Sequence, residues 1–145
     1  MQLSTHVDRS PEEVFAVLSD LTRDPEWRRE WVAARPEAPG DAPRVGSRTT
    51  LVGRLLGRDI DTVYEVIELE PNRSVRWRGV SGPLPLVFSR SLEGIDGGTR
   101  ITFVYEPAGR FGAILVLLVG WVGRRQLAGD LPALRQLLGA STGTD

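Results

Sequence analysis

The chain has no cysteine, no lysine, one histidine and one methionine in 145 residues. Without cysteine there can be no disulfide, no thiolate nucleophile and no cysteine-ligated metal. The same absence fits a reducing compartment, so a cytoplasmic location is expected. Without lysine there is no amine for a Schiff base and no phosphate-loop lysine. A single histidine cannot build a two- or three-histidine metal site, and with no cysteine either a structural zinc site is excluded. No nucleophile-elbow sequence occurs, so no serine–histidine–carboxylate arrangement is suggested. No metal and no cofactor are expected. Neither sign of charge dominates, the formal net charge being −1. Nothing therefore points to nucleic acid as a partner.

Long hydrophobic runs are also missing. The longest covers Ala113 to Val119 and resumes at Trp121-Val122, short of the roughly 20 apolar residues that span a bilayer. The N-terminus shows no basic stretch followed by an apolar one, so no signal peptide is expected. What is present is ordinary for a globular protein: 41% hydrophobic and 26% charged residues. The length suits one domain with a real core, residues 1–145, with a frayed tail expected over 140–145.

The first twenty residues carry the clearest local pattern. Gln2 to Asp8 alternates, with Leu3, Thr5 and Val7 on one side and His6 on the other, which predicts a half-buried strand and a solvent-facing His6. Ser10-Pro11-Glu12-Glu13 combines an N-cap serine, a proline at the first helical position and a glutamate three residues on, a capping box. Val14, Phe15 and Leu18 then form an apolar stripe, and the helix is expected to stop near Asp20. A second short helical turn is expected from Asp24-Pro25, carrying Trp27.

Trp31 to Pro39 reads as a strand that its prolines make short or place at an edge. A loop follows through Pro43. From Val45 to Tyr105 the pattern is a meander of antiparallel strands: Ser47 to Leu56, Asp59 to Leu69, Ser74 to Val80, Leu84 to Gly94 and Thr99 to Glu106. Turns are expected at Gly57-Arg58, Glu70 to Arg73, Ser81-Gly82-Pro83 and, most strongly, Asp96-Gly97-Gly98. Phe111 to Leu138 reads as one long helix or two pieces divided at Pro132, with Leu117, Trp121, Leu127, Leu131, Leu134 and Leu138 on one broad face.

Four places carry a likeness to a known superfamily. They are Ser10 to Phe15 with Leu18-Ser19-Asp20, then Trp27 with Trp31, then Glu68-Leu69-Glu70-Pro71-Asn72-Arg73-Ser74-Val75-Arg76-Trp77, and last Gly98-Thr99-Arg100-Ile101-Thr102-Phe103. Together with the element order they resemble the START-like, or SRPBCC, superfamily of polyketide cyclase/dehydrase-like proteins. The resemblance covers nearly the whole chain. It implies an α+β helix-grip fold: a curved antiparallel sheet of six or seven strands around a long C-terminal helix, with two short helices after the first strand. It also implies a cavity for a small hydrophobic molecule, whether polyketide-, lipid- or aromatic-like, and it names polyketide cyclase/dehydratase activity as an alternative. Fold alone does not choose between them.

Alternation indicates which side chains face such a cavity. Val75, Trp77 and Gly79, and on the last strand Ile101, Phe103 and Tyr105, share the inward parity. Tyr64 goes with Thr62 and Val66, and Arg90 with Phe88. From the helix, Leu117, Trp121 and Leu131 are candidates, and Trp27 and Trp31 are placed to cover a mouth. Plain core packing is the alternative for each apolar position. Gly79 leaves room for a ligand or marks a bulge. Tyr64, Tyr105 and Arg90 are the candidates for chemistry, Arg90 through a two-point contact to a ligand carboxylate or enolate. Glu65 and Glu106 fall on the outer parity. Asp59 and Asp61, near Arg54 and Arg58, read as surface ion pairs. The expected partner is a small apolar molecule. The nearly all-round apolar block Phe111 to Val122 leaves a second copy of the chain or a membrane surface as alternative partners, though membrane association is not the leading expectation.

Overall fold

Alternating burial and turn chemistry assemble seven strands into one antiparallel sheet. The computed structural model describes residues 1–82, 86–107 and 113–142. In chain order the elements are β1 (Gln2–Val7), α1 (Pro11–Leu18), a short 3-10 helix (Leu21–Glu26), β2 (Trp31–Pro36), β3 (Arg48–Leu55), β4 (Arg58–Glu70), β5 (Ser74–Ser81), β6 (Leu86–Ile95), β7 (Gly98–Pro107) and α2 (Ala113–Thr142). The spatial order is β1-β7-β6-β5-β4-β3-β2, so strands two to seven follow one another as hairpins and β1 closes against the last. The sheet curves and wraps around α2. Register shifts sharpen the bend between Trp31 and Ala33, and between Val63 and Tyr64 and Val66 and Glu68.

The local chemistry explains most boundaries. The Ser10 hydroxyl accepts from the Glu13 N–H at 3.3 Å and starts α1, with Pro11 as its first residue. The next turn begins earlier than Asp24. Asp20 caps it, its Oδ1 accepting from the Thr22 N–H at 3.0 Å and the Thr22 hydroxyl at 2.6 Å, so the 3-10 helix starts at Leu21 and ends at Glu26, with Trp27 as its C-cap. Pro36 ends β2, which is the edge strand its prolines suggest. The β3–β4 turn sits on Leu56-Gly57, with φ of 50° and 77°, one residue before the pair expected. At the β6–β7 hairpin Asp96 and Gly97 take positive φ, as a two-residue primed turn requires. Gly98 must stay glycine, since a Cβ there would lie 2.2 Å from the Val7 carbonyl oxygen.

The start of β6 falls at Leu86, and positions 83–85 and the expected helix start at Phe111 lie outside the described residues. Pro132 does not divide α2, which runs unbroken to Thr142, past Leu138 and into the stretch expected to fray. Burial explains its continuity: Leu127, Leu131, Leu134 and Leu138 pin both sides of the proline to Val14, Val17, Leu18, Ile101 and Phe103. The two more N-terminal members of the expected face do not join them. Leu117 is 73% and Trp121 60% exposed, because the 3.6-residue period rotates them off the line of the four leucines. Gly120 and Gly123 come closer to that line.

A second core cluster, Leu21, Leu51, Tyr64, Val66, Val75, Trp77 and Phe88, fills the sheet's concave face farther along. The C-terminal half of α2 therefore covers solid protein. An open space lies under its N-terminal half.

Candidate ligand cavity

A cavity of about 510 Å³, partly open to solvent, lies between the N-terminal half of α2 and the concave face of the sheet. From α2, Leu118, Val119, Val122, Gly123 and Gln126 face it. The sheet contributes Trp31, Gly53, Ile60, Thr62, Tyr64, Leu86 and Tyr105, and Met1, Arg28, Glu30 and Arg54 complete the lining. Two glycines make the shape. Gly53 pairs with Trp31 across the β2–β3 ladder, and the indole lies over it, 3.2 Å from where a Cβ would stand. Gly123 presents only backbone, with nothing within 4 Å of a Cβ position.

The aromatic wall is ordered by ring packing. Phe88 is buried and sits between Tyr64, edge-on at 4.9 Å, and Tyr105, stacked at 5.3 Å, while Trp77 stacks on it at 4.8 Å. Trp31 meets Tyr64 edge-on at 6.4 Å. The two tyrosine rings thus flank one phenylalanine and bring their hydroxyls to the same wall. Gly79 stands opposite Tyr64 beside the β4–β5 register shift; a Cβ there would meet the tyrosine ring at 3.5 Å, an ordinary contact, so the glycine sits at a bulge and opens no ligand space. The backbone of Tyr105 is held by Met1, whose amino group donates to its carbonyl at 2.9 Å.

The inner end of the cavity is polar. Arg28, only 3% exposed, donates through Nη1 to the Tyr105 hydroxyl at 2.8 Å and through Nη2 to a Glu30 carboxylate oxygen. Its Nε lies 3.2 Å from Asp130 on α2, whose other oxygen accepts from Arg29 at 3.0 Å. These contacts tie the loop after the 3-10 helix to α2. Burial opposes the Arg28 charge, but Tyr105, Glu30, Asp24 and Asp130 outweigh it and raise its pKa above the ordinary value. Burial pushes the Glu30 carboxyl above the usual carboxylate range. Arg28 pulls it down, and Asp130 and Asp24 push it up. Burial, helped by Glu30, also raises Tyr64, which stays a neutral phenol.

Arg90 points inward as alternation indicates, but it lies below the cavity rather than in it. It is fully enclosed, donating to the two Asp24 oxygens at 2.9 and 2.6 Å and to the Leu18 carbonyl at 3.0 Å. The rings of Trp77, Trp27, Phe88 and Phe103 surround it at 5.2 to 5.9 Å, a favourable setting for a cation. Burial opposes its charge and Asp24 more than offsets that, leaving its pKa raised. Its donors face Asp24, so the two-point contact read from the sequence is made to a carboxylate of the protein itself.

The sequence-derived residues therefore divide three ways. Trp31, Tyr64 and Tyr105 line the cavity. Phe88 supports them, with Trp27, Trp77, Phe103 and Arg90 in the core. Leu117 and Trp121 turn to solvent, with Arg125 over the Trp121 ring at 5.4 Å. Glu65 lies on the outer face, bound to Arg48 and Arg78, and Asp59 and Asp61 pair with Arg54 and Arg35. Exposed His6 bonds the Ile95 carbonyl oxygen at 3.0 Å. Sequence reasoning passed over Arg28 and Glu30. Their signal was there: a charged triplet, Arg28-Arg29-Glu30, held between two tryptophans.

Among the described residues no helix is long and apolar enough to cross a membrane. The architecture defines a helix-grip protein with a cavity between sheet and C-terminal helix, suited to a small hydrophobic ligand. The sequence matches the family model described as polyketide cyclase / dehydrase and lipid transport over residues 1–139, and the chain belongs to that family. No curated protein matches it closely. Among solved structures it is similar to a protein of Thermus thermophilus, with 20% identity, TM-score 0.75 and 98% of both chains covered. It is also similar to a START superfamily protein of Mycobacterium smegmatis, with 16% identity, TM-score 0.73 and 98% of both chains covered. A third is the Aha1 dimer of Colwellia psychrerythraea, with 20% identity, TM-score 0.65, and 100% of this chain and 98% of that one covered. At such identities the structures bear on the fold alone.

Proposed function

We propose that the chain binds a small, largely apolar molecule in this cavity and holds it without chemical turnover. The carrying observation is the two-part lining: apolar walls from Trp31, Ile60, Leu118, Val119 and Val122, and one polar end at Arg28, Glu30, Tyr64 and Tyr105. A volume near 510 Å³ falls inside the span of about 300–1,000 Å³ typical of small-molecule sites. In this reading Trp31, Tyr64 and Tyr105 touch the ligand. Phe88, Trp77, Phe103, Trp27 and Arg90 hold them in place. Holding without turnover is supported by the commitment of the two buried arginines, Arg90 to Asp24 and Arg28 to three partners. The lack of cysteine supports a cytoplasmic setting.

Native mass spectrometry of protein purified from its own host tests this. The expected result is a small-molecule adduct lost on denaturation. Protein that carries no adduct and also fails to take up the neutral fluorophore N-phenyl-naphthylamine would sink the reading. The enzymatic alternative, a cyclase or dehydratase using Tyr64 and Tyr105, requires turnover of a polyketide-like substrate that Tyr105→Phe abolishes at unchanged stability.

A separate observation favours a second partner. Ile114, Leu117 and Trp121 form an exposed apolar stripe at i, i+3 and i+7 along α2, beside Leu118 and Val122 at the cavity wall. We propose that a second copy of the chain covers it, since one helical stripe can pack on its own twofold mate. A strict monomer at high concentration in a sedimentation experiment would remove this idea, and flotation with lipid vesicles would replace it by a membrane surface.

A further inference from the structure

The polar end of the cavity specifies the head group of its ligand. Arg28, the buried cation there, donates to Tyr105 and Glu30 and lies beside Asp130, so two carboxylates offset its charge. Arg54, at the rim, is largely exposed and paired with Asp59. Three groups keep unused capacity among the described residues. Glu30 gives one carboxylate oxygen to Arg28 and keeps the other. The Tyr105 hydroxyl accepts from Arg28, so its own proton is free to donate. The Tyr64 hydroxyl, on a buried ring that faces the cavity, has no partner among the described residues.

Resting on the binding function proposed above, we propose that the ligand is uncharged, presents a hydroxyl or phenol O–H to Glu30 and accepts from Tyr105 and Tyr64 through a carbonyl or ether oxygen, and that molecules ending in a carboxylate are rejected. An anionic head group would meet Glu30 and Asp130, which already offset the Arg28 charge, and like charges in a partly buried site repel strongly. A pure hydrocarbon would leave two hydroxyls and a carboxylate oxygen desolvated and unpaired, which also disfavours binding. Burial already holds the Glu30 carboxyl above its usual range, as expected where a second negative charge is unwelcome.

Four probes share one ring system and differ in the head group: pyrenemethanol, acetylpyrene, methylpyrene and pyrenecarboxylate. Energy transfer from tryptophan to pyrene at pH about 8, well above the ordinary carboxylate range, reads the affinity of each. Pyrenemethanol is expected to bind about tenfold more tightly than methylpyrene and pyrenecarboxylate, the size of one good hydrogen bond. Glu30→Gln should narrow the gap between alcohol and carboxylate to about threefold. Tyr64→Phe removes a hydroxyl that no described residue uses, and should weaken acetylpyrene about fivefold relative to methylpyrene. Equal binding of all four probes, or tightest binding of pyrenecarboxylate, overturns the head-group inference and leaves the apolar-cavity function standing. Failure of all four to bind removes both.

Discussion

Arg90 grips Asp24 through both of its terminal nitrogens, at 2.9 and 2.6 Å, with both side chains almost wholly buried. The pair joins β6 to the 3-10 helix across the aromatic core, and that helix carries the chain on to Trp27 and Arg28. A buried pair gains little over a well-packed apolar replacement, but losing one partner strands a charge. Asp24→Asn is therefore expected to cost about 3–5 kcal/mol in urea unfolding. Replacing both, as Arg90→Met with Asp24→Leu, should cost much less than the two single changes summed. Additive losses would show that the pair is not the unit described here.

Gly123 tests the cavity by the space it leaves. It sits in α2 facing the opening, with nothing within 4 Å of a Cβ. Gly123→Ala is expected to stabilise the protein by about 1 kcal/mol, the helix-propensity difference. Gly123→Phe should keep the fold and fill the cavity, so uptake of N-phenyl-naphthylamine falls to background while the melting temperature holds. Undiminished uptake would place the binding site elsewhere.

Glu30 gives a pH signature. Its folded pKa lies above the ordinary value of 4.5, first because of burial. Between the unfolded and folded values the native state holds the extra proton, so Glu30's contribution to stability is full below about pH 4.5 and falls as pH rises through the folded value. Facing it are Arg28 from the loop, Asp130 from α2, Asp24 from the 3-10 helix and Arg90 from β6. Glu30→Gln cannot ionise. The stability difference between variant and wild type should move in favour of the variant as pH is raised from about 4.5 to about 8, measured by urea unfolding. Movement the other way would mean that Arg28's attraction, not burial, governs the group.

The two halves of α2 should respond oppositely to mutation. Leu134 is fully buried among Val14, Ile101 and Phe103, and Leu134→Ala is expected to cost about 2–5 kcal/mol. Leu117→Glu and Trp121→Glu change exposed positions and should stay within about 0.5 kcal/mol in dilute solution. If a second copy covers the stripe, the same substitutions lower the concentration-dependent mass.

Much of the fold was legible because it follows from local rules. Ser10, Pro11 and Glu13 announce α1. Asp96-Gly97-Gly98 announces the last hairpin, and alternation correctly places Val75, Trp77, Ile101 and Phe103 inside. Tyr64 and Tyr105 reach the cavity wall because their parity is fixed by the strands. The errors came where a local rule meets its tertiary context. Helical periodicity could not say where α2 leaves the sheet, so Leu117 and Trp121 were assigned to the inside. Proline chemistry leaves a continuous or a divided helix open at Pro132, and four buried leucines decide for the continuous one.

Read alone, the order of residues settles the class of the molecule: an antiparallel meander, a long closing helix, and no thiol, amine or histidine cluster with which to do chemistry. It took the folded chain to show that Arg90 is spent on Asp24, that Glu30 stands at the inner end of the cavity, and that Gly53 and Gly123 shape its walls. The reason is physical. Propensity, capping and alternation act over a few residues and can be read in one dimension. Which charge finds which partner, and which gap stays unfilled, depends on residues 66 to 101 positions apart meeting across a curved sheet.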